Sequence, residues 1–338
     1  MKRVVSKLNH YALREKKWAM NTLNLVKELT SQREFGILCF IIGTFVMMSF
    51  ASPYFWTRTN MHSLLLALSV QSILAVGMMN LMVSGGFDLS IGSVVGLIGV
   101  TVALLVRNGV PVYLAVTVSL LIGALIGLFN GLIITKVGMN PFIVTLAGLN
   151  LFRGLTYVVT GGQQVTQLGE AFDNIGQGKF LGIQAPIWYA IIFVVVGEIM
   201  LRKSWYFRQN YYIGGNEDAA RRCGISVDKV KILNYVLMST IAAFAGIVLT
   251  ARMGAATVYC GTGMELRVIT AVIIGGASLR GGEGTIFGAF LGSLLMALII
   301  DIFALLGINV YWQTFTIGAI LLLAVLVDIL SMKKRERT

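Results

Sequence analysis

The sequence predicts an all-α, polytopic membrane protein with about ten transmembrane helices. Of the 338 residues, 57% are hydrophobic and only 12% are charged, a composition that suits a bilayer better than water. The apolar residues fall in runs of roughly 20, the length that a helix needs to cross the hydrocarbon core. Of the 27 Lys and Arg residues, 19 lie in three polar stretches, residues 1–35, 202–231 and 333–338. Such basic segments are typical of the cytoplasmic side.

Applied along the chain, the length rule predicts ten spans. They lie near residues 35–52, 62–83, 88–107, 111–136, 140–160, 186–201, 232–251, 266–279, 285–306 and 311–330. Gly85-Gly86 and the glycine-rich stretch 281–284 interrupt this pattern, so broken or re-entrant segments are expected there. An even number of spans places both ends and the connection 203–231 on one side. The predicted organisation is a cytoplasmic tail over 1–34, a membrane domain over 35–330 and a cytoplasmic tail over 331–338.

Glycine pairs four residues apart recur within the predicted spans. Gly123 and Gly127 lie in one span, and Gly288 and Gly292 repeat the spacing in another. Small residues at this interval let two helices approach closely in lipid. These glycines are therefore predicted to be helix-packing residues.

The connection 203–231 is predicted to carry a short exposed helix. Its glycine pair signals a turn, Asn216 can cap a helix whose first turn holds two acids, and Gly224 can end that helix. Two adjacent alanines give the helix a small, flat face. A short helix of this kind, held at the cytoplasmic surface by flanking spans, is suited to docking a partner. The residues of this docking element are Gly214, Gly215, Asn216, Glu217, Asp218, Ala219, Ala220 and Gly224.

Six polar residues at or inside the spans are candidates for lining or gating a pathway: Asp88, Asn130, Asn140, Thr145, Arg153 and Asp301. Asp88 follows a glycine pair at the start of a span and is interpreted first as a helix cap with Ser90, and second as a gating group. Arg153 and Asp301 interrupt apolar runs, and mutual pairing is the least costly interpretation. The amide and hydroxyl groups either join helices or line a wet path.

No catalytic, cofactor or metal site is predicted. His10 and His62 have no Cys or carboxylate at ligand spacing. The phosphate-binding pattern G-x-x-x-x-G-K-[ST] does not occur, because GQGKF at 176–180 lacks both its spacing and its hydroxyl residue, so ATP hydrolysis is expected in a separate subunit. Aromatic and basic residues are not interleaved as in single-strand binders, so no nucleic acid is expected.

Five segments in chain order carry a family resemblance. They read SGGFDLSIGS at 84–93, GLFNGLIITKVGMNPFIVT at 127–145, IGGNEDAARRCGI at 213–225, GGASLRGGEGTIFG at 275–288 and GINVYWQ at 307–313. Together they resemble the membrane permeases of ABC importers for ribose, galactose, xylose, arabinose and autoinducer-2. Two departures touch the docking surface: Phe207-Arg208 stands where the family usually has Phe-Gly-Arg, and Cys223 where serine is common.

The resemblance implies a permease subunit of the bacterial inner membrane, with both termini cytoplasmic, that translocates a sugar or sugar-like solute. Its implied partners are an ABC ATPase, as two copies or a tandem, which receives the helix at 214–224, and a second permease, identical or different. A periplasmic binding protein would meet the outer loops around 161–185 and 252–265. Two alternatives stay open: a branched-chain amino-acid ABC permease, and an ion-coupled secondary transporter. Pentose, hexose and autoinducer-2 permeases share these motifs, so the solute stays open as well.

Overall fold

Each of the ten predicted spans coincides with a helix in a computed structural model, which describes residues 33–335. The ten helices are α1 Arg33–Ala51, α2 Arg58–Val83, α3 Ile91–Arg107, α4 Val112–Leu132, α5 Pro141–Thr160, α7 Ala185–Lys203, α10 Val227–Met253, α11 Met264–Ile274, α12 Ile286–Leu305 and α13 Val310–Arg335. A π-helical turn, Ile133–Val137, continues α4. The predicted tail 1–34 lies outside the described residues except for residues 33 and 34. Helix α13 continues through Arg335 into the predicted tail 331–338, of which residues 336–338 lie outside the described part.

The connections between these helices carry short elements. They are β1 Val165–Thr166, α6 Glu170–Gln177, β2 Lys179–Phe180, β3 Ile183–Gln184, α8 Trp205–Gly215, α9 Glu217–Arg222 and β4 Ala255–Ala256. Strands β2 and β3 form a small antiparallel hairpin directly before α7.

Two of the ten helices are shorter than the other eight. Eight helices in the described part of the chain are long and apolar enough to cross a bilayer. Helix α3 has 17 residues and α11 has 11. At 1.5 Å per residue, 11 residues cover roughly half of a ~30 Å core. The predicted all-α, polytopic fold is confirmed, and the count of about ten differs from these eight only by the two short helices that adjoin the glycine-rich breaks.

The core lies around α2 and α10. In the most apolar 18-residue stretch of each helix, 83% of the residues are buried in α2 and 61% in α10, but only 6% in α13. Helix α10 packs along α4, α3 and α2. The outer helices leave their apolar faces uncovered, as expected where lipid rather than water surrounds a protein.

The predicted packing role of the paired glycines is confirmed. A Cβ added at Gly127 would lie 2.3 Å from the Tyr235 carbonyl oxygen of α10. A Cβ added at Gly292 would lie 1.9 Å from the Ala271 carbonyl oxygen of α11. The missing side chains therefore let α4 pack against α10, and α12 against α11, at backbone contact distance.

Two connections meet at the end of the bundle away from α8 and α9. Strands β1 and β4 pair antiparallel, with Val165 opposite Ala256 and Thr166 opposite Ala255. Helix α6 covers the end of α10, where a Cβ added at Gly176 would lie 2.2 Å from the Arg252 backbone nitrogen. The connections 161–184 and 254–263 thus form one surface.

Candidate functional site

The coupling segment, residues 203–231, folds as two helices separated by one extended residue. The Asn216 Oδ1 atom accepts a hydrogen bond from the Ala219 N–H at 2.9 Å, so Asn216 caps α9. Gly224 follows α9 with φ of +85°, a conformation that glycine adopts without strain. Both local predictions are confirmed.

The helix that precedes this break was not predicted. Helix α8 runs from Trp205 through Gly215, so the glycine pair belongs to its last turn and Asn216 alone forms the turn. The expected turn at Gly214 and Gly215 is therefore wrong. Two glycines in one helical turn were interpreted as a break because glycine disfavours helix interiors by about 1 kcal/mol. Tertiary contacts override that preference here.

The two alanines of α9 point in different directions. Ala219 is exposed, whereas Ala220 is only 4% exposed. Ala220 packs into a small apolar cluster with Ile213, Val227 and Val230. The exposed face of α9 therefore includes Ala219 but not Ala220, which corrects the predicted flat face.

Ion pairs join α9 to the start of α10. Glu217 accepts hydrogen bonds from Arg221 at 3.0 Å and from Lys231 at 2.5 Å. Asp228 accepts from Arg221 at 2.7 Å and from Lys136 at 2.9 Å. Partial burial raises the pKa of the Glu217 carboxyl, but the bonds from Lys231 and Arg221 outweigh it and hold that pKa below its ordinary value of 4.5. These side chains are partly exposed, so solvent screens each pair and its contribution to stability is small.

A groove of about 720 Å³ separates α8 from α9. Trp205, Arg208, Tyr212 and Ala219 line it, and the side chains of Trp205 and Tyr212 are 80% and 58% exposed. Exposed Trp, Tyr and Arg side chains are the residue types that dominate protein interfaces. The groove therefore has the composition of a protein-contact surface.

Gly214 lies where the coupling segment touches two glycine-rich breaks of the bundle. A Cβ added to it would lie 2.0 Å from the Val83 carbonyl oxygen and 2.3 Å from the Gly282 nitrogen. The Gly282 N–H donates to the Val83 carbonyl at 2.8 Å, which ties the break after α11 to the end of α2. Neighbouring Gly85 and Gly281 have φ of +79° and +90°. This contact, which we call the glycine junction, joins α8, α2 and the 281–284 loop.

Three asparagines that sequence reasoning missed form a closed ring beside this junction. Asn80 of α2 donates to Asn234 of α10 at 3.0 Å, Asn234 donates to Asn210 of α8 at 2.9 Å, and Asn210 donates to Asn80 at 2.8 Å. Asn210 and Asn234 are fully buried and Asn80 is 8% exposed. For Asn80 the available signal was an asparagine inside an apolar run, whereas Asn210 lies in the polar stretch 202–231 and gave no such signal. The hydrogen-bond partners of each are also distant in sequence.

Asp88 and Asn130 come together through Ser90. The fully buried Asp88 Oδ1 atom accepts from the Ser90 N–H at 2.7 Å and from the Ser90 hydroxyl at 2.6 Å. The Asn130 amide donates to the Ser90 hydroxyl oxygen at 3.3 Å. Asp88 therefore forms a tight turn with Ser90, the residue just before α3. It does not cap the helix, because Ser90 is the N-cap residue and no side chain accepts a hydrogen bond from the first turn, so the capping interpretation was wrong in this respect. A gating role stays a prediction.

Arg153 and Asp301 do not pair, so the least costly interpretation was wrong. Arg153 donates through Nη1 to the Val258 and Cys260 carbonyls at 2.7 and 2.8 Å, and through Nη2 to the Gly92 carbonyl at 3.2 Å. Asp301 instead accepts from the Asn60 amide at 3.0 Å. Backbone carbonyls therefore accept the hydrogen bonds of the guanidinium. A search of the sequence for an oppositely charged partner does not reveal such an arrangement.

The remaining two pathway candidates have local partners. Asn140 caps α5 by accepting the Phe142 N–H at 2.8 Å, and Pro141 occupies the first helical position. The buried Thr145 hydroxyl donates to the Pro141 carbonyl at 2.8 Å. Their observed contacts are those of helix structure. Within the described part of the chain, no three His, Cys, Asp or Glu side chains are grouped for a metal ion.

A bundle of apolar helices, with a paired helical connection at one end and a strand-paired surface at the other, defines a polytopic membrane protein. The chain belongs to the family described as branched-chain amino acid transport system/permease component, whose model matches residues 60–325.

Relatives extend over nearly the whole chain. It is 38% identical over 317 residues to the ribose import permease protein RbsC of Escherichia coli K12, covering 93% of this chain and 95% of that protein. It is 39% identical over 292 residues to RbsC of Bacillus subtilis, covering 85% and 91%. It is 37% identical over 293 residues to the L-arabinose ABC transporter permease protein AraH of Azospirillum brasilense, covering 87% and 86%. The resemblance to sugar permeases is thereby confirmed. No solved structure matches the chain.

Proposed function

We propose that this chain is the membrane-spanning subunit of a bacterial ABC importer that translocates a sugar. The observation that carries the proposal is its identity of 37–39%, over most of both chains, to permeases named for ribose and L-arabinose. These relatives favour a sugar over the branched-chain amino acid of the family description. They also favour ATP-driven transport over an ion-coupled secondary transporter. Because both named sugars are pentoses, ribose and L-arabinose are the first solutes to test.

ATP hydrolysis takes place in a separate ATPase, and this chain provides the path and a lever. Helix α9 and the groove beside it are the proposed docking surface. The groove supports this assignment, because Trp205, Arg208 and Tyr212 offer exposed anchors and Ala219 leaves room for a partner to approach. The joined connections 161–184 and 254–263, at the opposite end, are the proposed surface for a solute-binding protein. A second permease, identical or different, completes the pathway.

Replacing Ala219 by arginine is expected to remove the ATPase from the purified complex. The side chain is exposed in the groove, so a long charged group there blocks docking without disturbing the core. The measurement is co-purification of the ATPase with the tagged chain after extraction in mild detergent. Ala171→Arg, on exposed α6 at the other end, is the matched control and should retain the ATPase. Retention by the Ala219 variant would exclude α9 as the dock.

Cys223 offers a direct measurement of orientation. Its thiol is exposed in the coupling segment, whereas Cys260 is buried at 7% exposure. Cys39 of α1 is also exposed, so the measurement is made in a Cys39→Ser background. If the segment is cytoplasmic, a membrane-impermeant maleimide should label Cys223 in inside-out vesicles and not in intact spheroplasts. In a Cys223→Ser background, Gln163→Cys in the opposite connection should show the reverse pattern. Labelling of Cys223 in spheroplasts would invert the proposed topology.

A further inference from the structure

We infer that the ring of Asn80, Asn210 and Asn234 fastens α8 to α2 and α10, so that displacement of the coupling segment moves both central helices together. The three residues are positioning residues for transport. The inference rests on the proposed role of the coupling segment as the ATPase dock.

The ring is directional and closed. Each amide donates one N–H and accepts one hydrogen bond at its oxygen, so every member has a partner on both sides. The donor–acceptor distances of 2.8–3.0 Å are those of well-formed hydrogen bonds. Because the ring is buried, water cannot replace a lost partner, and separating one helix from the other two leaves unpaired polar groups.

Contacts on the same face of α8 strengthen this attachment. Tyr211 directly follows the ring member Asn210. Its hydroxyl donates a hydrogen bond to the Gly284 carbonyl at 2.8 Å. One turn further on, Gly214 rests on the backbone of Val83 and Gly282 at the glycine junction. Helix α8 is thus held to α2, to α10 and to the 281–284 loop within five residues of chain.

The ion pairs of α9 are not equivalent to the ring. Glu217, Arg221 and Asp228 connect α9 to the start of α10, in a partly exposed setting where solvent weakens each pair. They do not reach α2. The ring does, and α2 is the most buried of the spans. A force applied at α9 therefore passes through α8 and the ring to both helices at the centre of the fold.

If the ring only held the helices together, its loss would have a different effect on uptake and ATP hydrolysis. Polar groups often join helices in membranes without any role in a transport cycle. Loss of adhesive lowers the amount of folded complex, and uptake and ATP hydrolysis then fall together. Loss of a fastening leaves the complex assembled and hydrolysing ATP, while less solute moves for each ATP consumed.

The test is the ratio of solute transported to ATP hydrolysed by the whole complex, with its ATPase and binding protein, reconstituted in liposomes. Asn210→Leu keeps the branched shape but opens the ring. Asn210→Ser opens the ring while retaining a hydroxyl, and serves if the leucine variant assembles poorly. Asn150→Leu is the matched control, because the Asn150 amide donates within its own helix to the Leu146 carbonyl at 3.2 Å.

For the ring variants we expect the ratio to fall by about fivefold or more, the lower range of measured couplings between sites, with the control unchanged. An unchanged ratio, whether or not the amount of complex drops, would overturn the inference and leave the ring as adhesive. Failure of the proposed function is seen separately and first: the unmodified complex would then show no ATP-driven uptake, or no ATPase bound to the chain.

Discussion

Gly214→Ala is expected to abolish transport and to destabilise the folded permease. The added Cβ would lie 2.0 Å from the Val83 carbonyl oxygen, 2.3 Å from the Gly282 nitrogen and 2.9 Å from the Gly281 carbonyl carbon. All three atoms belong to the backbone, so no side chain can rotate away, and α8 must separate from the glycine junction. Overpacking of this kind costs about 1–3 kcal/mol or more. The opposing gain in helix propensity is about 1 kcal/mol at most, so destabilisation prevails.

Gly215→Ala is the matched control for stability. Gly215 lies in the same helical turn, yet no heavy atom lies within 4 Å of a Cβ added there. Its thermal unfolding midpoint in detergent should equal or slightly exceed that of the unmodified chain, because only helix propensity changes. The Gly214 variant should melt lower, and its solute uptake should be lost. Equal midpoints for the two variants would show that α8 is not held at the glycine junction.

The features that sequence reasoning identified are those that local chemistry determines. Runs of about 20 apolar residues identify a span, because a bilayer demands that length whatever the neighbours are. Asn216 and Gly224 were assigned correctly because capping depends on residues within one helical turn. The five family segments identified the permease family for a similar reason, since each is a short contiguous stretch.

The features that it missed depend on partners far along the chain. Asn80 and Asn234 are 154 residues apart, and Arg153 binds the Cys260 carbonyl 107 residues away. An amide or guanidinium in an apolar run indicates that a hydrogen-bond partner exists, but it does not show which residue that partner is. The helical state of Gly214 was missed for the same reason, because close contact with Val83 and Gly282, rather than propensity, favours glycine there.

Arg153→Leu is expected to be the most damaging single change at the end of the bundle that carries β1 and β4. The guanidinium is the shared donor for carbonyls of Val258, Cys260 and Gly92, and so connects α5, the 254–263 connection and the start of α3. Leucine leaves the buried Val258 and Cys260 carbonyls without this donor. Since a hydrogen bond to a charged group contributes about 1.5–3 kcal/mol, loss of the two bonds to these buried carbonyls should lower the free energy of unfolding by about 3–6 kcal/mol.

Arg153→Lys separates charge from geometry. A lysine keeps the positive charge but lacks the planar fork that reaches several carbonyls at once, so its stability should lie between that of the leucine variant and the unmodified chain. Arg107→Lys, at an exposed helix end, is the control and should unfold normally. Thermal unfolding in detergent, with limited proteolysis of residues 254–263, measures both stability and the order of that connection. The planar fork is needed because two carbonyls share Nη1 while Nη2 reaches the third. A lysine variant as stable as the unmodified chain would contradict this and show that charge alone holds the connection.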